Sequence, residues 1–251
     1  MMNIDFNADM GESFGMYSLG DDEGFMQYIT SANVACAFHA GDPTVMKKTV
    51  ALAKKYGVQV GAHPGLPDIQ GFGRREMNLS MEEIHDDMVY QIGALKAFTE
   101  AAGLRLHHVK PHGSLYGMAM RREDVAQAVC QAVIDVNKEL YLYIMKKGYA
   151  GQVAESMGLR VVYELYADLD YDGDGNLVIT RHHDIHKPED IAARVIKMVK
   201  DGRVTTTEGT EIPIEGSSVC LHSDTANASD IVVTVHKELE KAGYTIAAPA
   251  L

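Results

Sequence analysis

Cysteine, basic charge and long apolar runs are all scarce in this 251-residue sequence. No run approaches the roughly 20 apolar residues of a membrane-spanning helix, so no span is expected. The opening MMNIDFNADMGE shows no basic region followed by an apolar stretch, so no secretory signal is expected either. The three cysteines, Cys36, Cys130 and Cys220, form no C-x-x-C pair. That fits a reducing compartment, and the cytoplasm is the expected location. Lysine and arginine number 23 against 35 acidic side chains, a formal net charge of -12. Such a surface repels phosphate backbones and anionic lipid, which argues against nucleic-acid and membrane partners. Two motifs are also missing. There is no G-x-x-x-x-G-K-[ST] loop for a nucleotide and no H-E-x-x-H pair for zinc.

What remains is ordinary globular composition, 46% hydrophobic and 23% charged. Short β-like runs at 3–8, 33–38, 58–62, 106–111, 140–145, 160–166 and 217–222 alternate with amphipathic helices. Ser80-Met-Glu-Glu83 reads as a capping box opening a helix whose Ile84, Met88, Ile92 and Leu95 share a face. Pro188 suits the first turn of another helix, with Ile191, Val195 and Val199 on one side. The last helix carries Ile231, Val235 and Leu239. Seven strand–helix units predict an α/β fold with a seven-stranded parallel barrel, an open doubly wound sheet being the alternative. Residues 171–181 and 202–215 read as β-hairpin insertions, turning at Asp174-Gly175 and Glu208-Gly209. No linker or repeat interrupts the chain, so a single domain is expected over 1–251.

Function is written where the polar residues fall. Parallel α/β barrels place their sites at the C-terminal ends of the strands. Six of the seven predicted strands end in ionisable groups: Asp9, His39, His63, Lys110 with His112, Asp168, and His222 with Asp224. Alternate residues of a strand share a face, which groups Asn7 with Asp9, Lys110 with His112, Glu164 with Asp168 and Cys220 with His222. Any one such histidine is more often a satisfied or exposed side chain. Six at one rim indicate a site.

At these residues the sequence resembles the LamB/YcsF family, the family of 5-oxoprolinase A subunits. The stretches that carry the resemblance are IDFNADMGESFG, SANVACAFHAGDP, GAHPGLPDIQGFGRREM, YQIGAL, HVKPHGSLY, YADLDYDGDGNLV and CLHSDT, in family order from the first strand to the last helix. The resemblance implies a barrel of the glycoside hydrolase/deacetylase type. It also implies one component of an ATP-dependent hydrolase that opens 5-oxoproline, a small cyclic amide, to glutamate together with two partner subunits.

Opening a lactam needs a polarised carbonyl, an activated water and a proton for the departing nitrogen. Asp9, Glu12, His39, Asp42, His63, Lys110 and His112 form the candidate catalytic set, with Lys110 placed to stabilise charge on the carbonyl oxygen. Arg74, Arg75, His222 and Asp224 are the candidates for holding ATP or a substrate anion. Asp9, His39 and His63 would also suit a divalent metal, or would serve without one as an acid/base set. A stand-alone metal-dependent deacetylase or amidase, and a non-catalytic binding component, are the competing readings.

The second half departs from the family pattern. Leu169 follows Asp168 where an arginine is expected, His222-Ser-Asp-Thr-Ala-Asn227 replaces His-Gly-Asp-Thr-Pro-Gly, and Ala37 stands where glycine is usual. These changes leave a different cyclic amide open as substrate. Asp170 to Gly175 imitates a calcium loop, but its twelfth position is Arg181, so a turn is expected. Cys220 is expected to be a small filler beneath the rim, and His182, His183 and His186 to lie in a solvated loop.

Overall fold

The computed structural model describes residues 3–178, 187–223 and 227–251. Three strand–helix units open the chain: β1 (Asn3–Met10) with α1 (Asp22–Met26), β2 (Ser31–Ala35) with α2 (Pro43–Tyr56), and β3 (Gln59–His63) with α3 (Met81–Ala101). Then come β4 (Leu106–Val109), α4 (Gly113–Arg121), α5 (Glu123–Asn137), β5 (Tyr141–Ile144), α6 (Tyr149–Ser156) and β6 (Arg160–Tyr166). A hairpin of β7 (Asp170–Tyr171) and β8 (Leu177–Val178) precedes α7 (Pro188–Asp201). A second, of β9 (Arg203–Thr205) and β10 (Glu211–Pro213), leads into β11 (Ser218–Leu221). The chain ends with α8 (Ala228–Lys241) and β12 (Thr245–Ile246).

Neighbours β1 through β6 pair in parallel and in order, and β11 joins β6 to β1, which closes a seven-stranded barrel. This is the predicted architecture, with both hairpins where the turn signals place them. The last residues of the first hairpin's predicted span, 179–181, lie outside the described residues, as do Arg181, His182, His183 and His186. Nothing in the sequence pattern signals β12. Its two residues pair with Asn3 and Ile4 at the entry of β1. A two-residue strand offers no periodicity to read.

The predicted second strand, 33–38, is displaced: β2 starts at Ser31 and stops at Ala35. Ala37 explains the stop, because its φ of 72° lies in the left-handed region. A side chain there costs roughly 1 kcal/mol against glycine, which accounts for the family's glycine at this point.

Parity sorts the barrel as expected. Phe6, Ala8, Val34, Val109 and Val219 alternate with the inward residues and are fully buried. The interior is polar. Asp5, Asn7, Ser31, Asn33, His108, Glu164 and Ser218 are buried and bonded to one another or to the strands beside them. Such a core is tolerable only because its donors find acceptors, since an unpaired buried polar group costs about 1–3 kcal/mol. The Ser80–Glu83 capping box forms as read and starts α3. No helix among the described residues is long and apolar enough to cross a membrane.

Candidate active site

Above the polar interior a cavity of about 830 Å³ opens at the C-terminal end of the strands. Asp9, Glu12, His63, Lys110, His112 and His222 all line it. Arg74, Arg75 and Leu169 form part of its wall.

Asp9 is the hub. Its Oδ1 accepts from Asn33 Nδ2 at 2.8 Å and from the Lys110 ammonium at 3.0 Å. Its Oδ2 lies 3.3 Å from His63 Nε2 and 3.8 Å from His222 Nε2. Burial pushes the carboxyl up, but the neighbouring His63 and the Lys110 ammonium outweigh it and hold Asp9 well below the usual range. Asp9 is therefore an ionised acceptor.

Lys110 is only 2% exposed and surrounded by acceptors. Besides Asp9 it reaches Glu164 Oε1 at 3.2 Å, Cys220 Sγ at 3.0 Å and Asn7 Oδ1 at 3.3 Å. Burial favours a neutral amine, yet Asp9, Cys220 and Glu164 raise its pKa well above the ordinary value, so the charge stays. Glu164 also accepts from the hydroxyls of Tyr116 and Tyr166, both at 3.2 Å. Cys220 is more than a filler, since its sulfur supports the ammonium. Burial pushes its thiol up, so it carries no nucleophilic thiolate.

Three histidines pack beside this hub. His63 donates from Nδ1 to the Lys110 carbonyl at 2.7 Å, which turns Nε2 into the cavity. His112 donates from Nε2 to the Phe72 carbonyl at 2.8 Å, which turns Nδ1 inward. Those two inward nitrogens face each other at 2.9 Å. Each outer N–H is committed to a carbonyl, so the two inner nitrogens turn lone pairs toward each other, a contact that a shared proton or a bound cation relieves. His39 stacks flat on His112, with ring centroids 3.6 Å apart and planes 2° from parallel. Burial first, then the neighbouring His112 and His63, holds His39 well below its ordinary pKa; burial and His63 do the same to His112. Glu12 Oε1 completes the group, 3.5 Å from His39 Nε2 and 3.9 Å from His112 Nδ1.

His222 is the opposite case. Its Nδ1–H and backbone N–H both donate to Asp168 Oδ2, at 3.0 and 2.7 Å. Burial opposes the charge, but Asp168 overrides it and raises His222 to about 9. The ring lies against Tyr166, with centroids 5.9 Å apart.

The remaining expected residues separate. Both arginines reach the cavity wall, but Arg75 is committed to Asp68, with its Nε 3.0 Å from Oδ1. Arg74 lies over the Phe72 ring at 5.2 Å. Asp42 caps α2: its side chain accepts from the backbone N–H groups of Thr44, Val45 and Gly15 at 2.7, 2.9 and 2.8 Å. It does not line the cavity. Asp224 lies outside the described residues.

The metal question turns on donor geometry. The trio expected from sequence is Asp9, His39 and His63. The metal-type donors that crowd together are Glu12, His39, His63 and His112, whose donor atoms all lie within 4.8 Å of one another. An imidazole lone pair lies in its ring plane, so the parallel, stacked rings of His39 and His112 cannot both aim at one ion. Glu12, His63 and His112 fit a divalent ion as three donors, with both outer ring N–H groups anchored as metal-bound histidines require.

Sequence reasoning leaves Glu164, Tyr116, Asn33 and His108 out of the site. Glu164 is findable, since it shares a strand face with Tyr166 and Asp168. Asn33 and His108 become visible only once strand register is known, and Tyr116 only once α4 is placed over the barrel.

The sequence profile of the LamB/YcsF family matches residues 4–250. The A subunit of 5-oxoprolinase from Pyrococcus horikoshii is 49% identical over 247 residues, covering 98% of this chain and 97% of that one. The Bacillus subtilis protein of the same name is 46% identical over 250 residues, covering 99% of this chain and 97% of that one. Among solved structures, a lactam utilization protein from Thermus thermophilus superposes with a TM-score of 0.93 at 42% identity, over 99% of this chain and all of that one, 100%. The catalytic domain of a peptidoglycan N-acetylglucosamine deacetylase from Eubacterium rectale, 14% identical with a TM-score of 0.54 over 99% of this chain and 88% of that one, shares the fold alone. The match of a family profile to nearly the whole chain, with relatives close to half identical along it, places this protein in the LamB/YcsF family.

Proposed function

We propose that this chain is one component of an ATP-dependent enzyme that hydrolyses the ring amide of 5-oxoproline to give glutamate, in the role its relatives name as the A subunit. The observation that carries this reading is Asp9, an ionised carboxylate held between the Lys110 ammonium and the His63–His112 pair at the floor of the cavity. A water resting against Asp9 and His63 gives up its proton to the Asp9 carboxylate as it attacks the lactam carbonyl. Lys110 supplies positive potential beneath the developing oxyanion. The His222 imidazolium, on the other side of Asp9, protonates the ring nitrogen as the C–N bond breaks. Arg74 on the wall suits the substrate carboxylate, as it would suit a phosphate.

ATP belongs to the assembly. The absence of a P-loop motif in this chain supports a nucleotide held with two partner subunits. The three buried free thiols support a cytoplasmic setting. The deciding experiment mixes the purified chain with ATP and 5-oxoproline, then adds the two partner subunits. Glutamate release should be negligible alone and appear on reconstitution. Full turnover by the isolated chain would overturn the multi-subunit reading.

The facing nitrogens of His63 and His112 favour a second reading, a metal-assisted amidase. Glu12, His63 and His112 would hold the ion, which when bound supplies Lewis-acid activation of water. Elemental analysis of the purified protein, with activity measured before and after chelation and in the absence of ATP, distinguishes the two.

A further inference from the structure

We infer that His108, one layer of the barrel interior beneath the cavity, is a positioning residue that fixes the catalytic carboxylate through Asn33. The inference rests on Asp9 being the proton acceptor proposed above. His108 is fully buried and does not line the cavity. It acts through one intermediary.

Hydrogen-bond direction along the barrel axis can be assigned without ambiguity. Ser218 Oγ donates to Asp5 Oδ2 at 2.6 Å, and Asn7 Nδ2 donates to Ser218 Oγ at 2.7 Å. The Asn7 amide oxygen is then an acceptor, and Asn33 Nδ2 donates to it at 2.8 Å. The second hydrogen of the same Nδ2 goes to Asp9 Oδ1, also at 2.8 Å. Flipping the Asn33 amide would set its oxygen against both the ionised Asp9 and the Asn7 carbonyl oxygen. Asn33 Oδ1 therefore points at His108 Nε2, 2.7 Å away, and accepts its proton.

Three further contacts hold the His108 ring in place. Its face stacks on Tyr143, with centroids 4.1 Å apart and planes 21° from parallel. Its Nδ1 lies 3.0 Å from His107 Nδ1, a contact that positions the ring without fixing its tautomer, since both nitrogens bear lone pairs when both Nε2 atoms donate. His107 Nε2 donates to the Pro249 carbonyl at 2.8 Å, so the C-terminal segment anchors the column from below. On its remaining side lies Gly61. A Cβ on that residue would sit 2.1 Å from His108 Nε2, so only glycine leaves the ring its seat. The GAHPG stretch thus serves the site twice, through His63 above and through the space at Gly61 below.

The consequence is mechanical. With the Nε2–H in place, Asn33 has one stable orientation, and Asp9 keeps one oxygen pinned while Oδ2 faces His63 and the cavity. Without that proton the amide is released to rotate, and Asp9 loses its alignment.

The test is steady-state kinetics of the reconstituted three-subunit enzyme with ATP and 5-oxoproline, paired with nitrogen NMR of the full-length chain. His108→Phe should lower kcat on the order of tenfold or more, the scale of a misaligned catalytic group, with KM within about threefold. His108→Gln, whose amide can again offer a hydrogen to Asn33, should recover most of that loss. Gly61→Ala should reproduce the His108→Phe defect. In wild type, nitrogen NMR should find His108 protonated at Nε2. A folded His108→Phe enzyme with unchanged kcat, a Gln variant as poor as the Phe variant, or a His108 ring lacking the Nε2 proton would overturn the inference. If wild type opens no lactam, the proposed function falls, and the His108 tautomer, with its loss of Nε2–H contact in Gly61→Ala, decides the positioning inference by itself.

Discussion

Two histidine environments face each other across Asp9, and they differ in charge. On the first four strands, His39 and His112 are held well below their ordinary pKa by burial and by neighbouring imidazoles. At the end of β11, His222 is less deeply buried, its side chain 15% exposed, and is bonded twice to Asp168, and it rises to about 9. One residue type gives neutral rings on one side and an imidazolium on the other. What separates them is the paired hydrogen bond to Asp168 on one side and deep burial among crowded imidazoles on the other. The pairing matches the demand of amide hydrolysis, in which one side must take a proton from water and the other must give one to nitrogen.

The largest expected effect comes from removing the charge between the two sides. Lys110→Met should lower turnover of the reconstituted enzyme by roughly a hundredfold or more, the scale of losing one oxyanion donor. Substrate binding should change far less, which kcat and KM measured separately will show. An active Lys110→Met enzyme would remove the ammonium from the mechanism.

Erasing the asymmetry itself should have the next largest effect. In Asp168→Asn, His222 loses its counter-charge, and its pKa falls toward or below the ordinary value. Acting as the acid, His222 must be protonated, so wild-type activity should persist until pH climbs through about 9. The variant should lose its activity at distinctly lower pH, and a pH–rate profile of both enzymes checks this. The same shift stabilises the fold: because the folded-state pKa is raised, the His222 contribution is complete below its unfolded value and fades as pH rises through about 9. Thermal midpoints at pH 6 and pH 10 should therefore differ less in Asp168→Asn than in wild type.

A smaller change sharpens the comparison at the wall. Leu169 lines the cavity where the family pattern leads one to expect arginine. Leu169→Arg adds a cation beside the His222 side, and should shift selectivity toward 5-oxoproline over an uncharged lactam by about tenfold. No change in that ratio would mean that Arg74 already satisfies the acid.

The rim is legible in the sequence because six of the seven strands end in ionisable groups. Parity alone puts Asn7 with Asp9 and Lys110 with His112. The barrel follows from the strand–helix repeat, and the Ser80 capping box from local spacing. Other features depend on register. The flat stack of His39 on His112 joins loops far apart in sequence, and Asn33 meets His108 only because β2 and β4 flank β3. Asp42 has a local signature of its own: aspartate before proline, at the start of an amphipathic run, is a helix cap before it is a catalyst. Ala37 stands out in the sequence as a departure from glycine, and only its backbone angle shows why the second strand ends early.

The opposed protonation of the two sides is tested most directly by an NMR titration of the histidine rings in the isolated chain, with chelator present. His222 should titrate near 9 while His39 and His112 stay neutral to well below their ordinary value. If all three titrate together near the usual histidine pKa of about 6.5, the division of acid from base across Asp9 is contradicted.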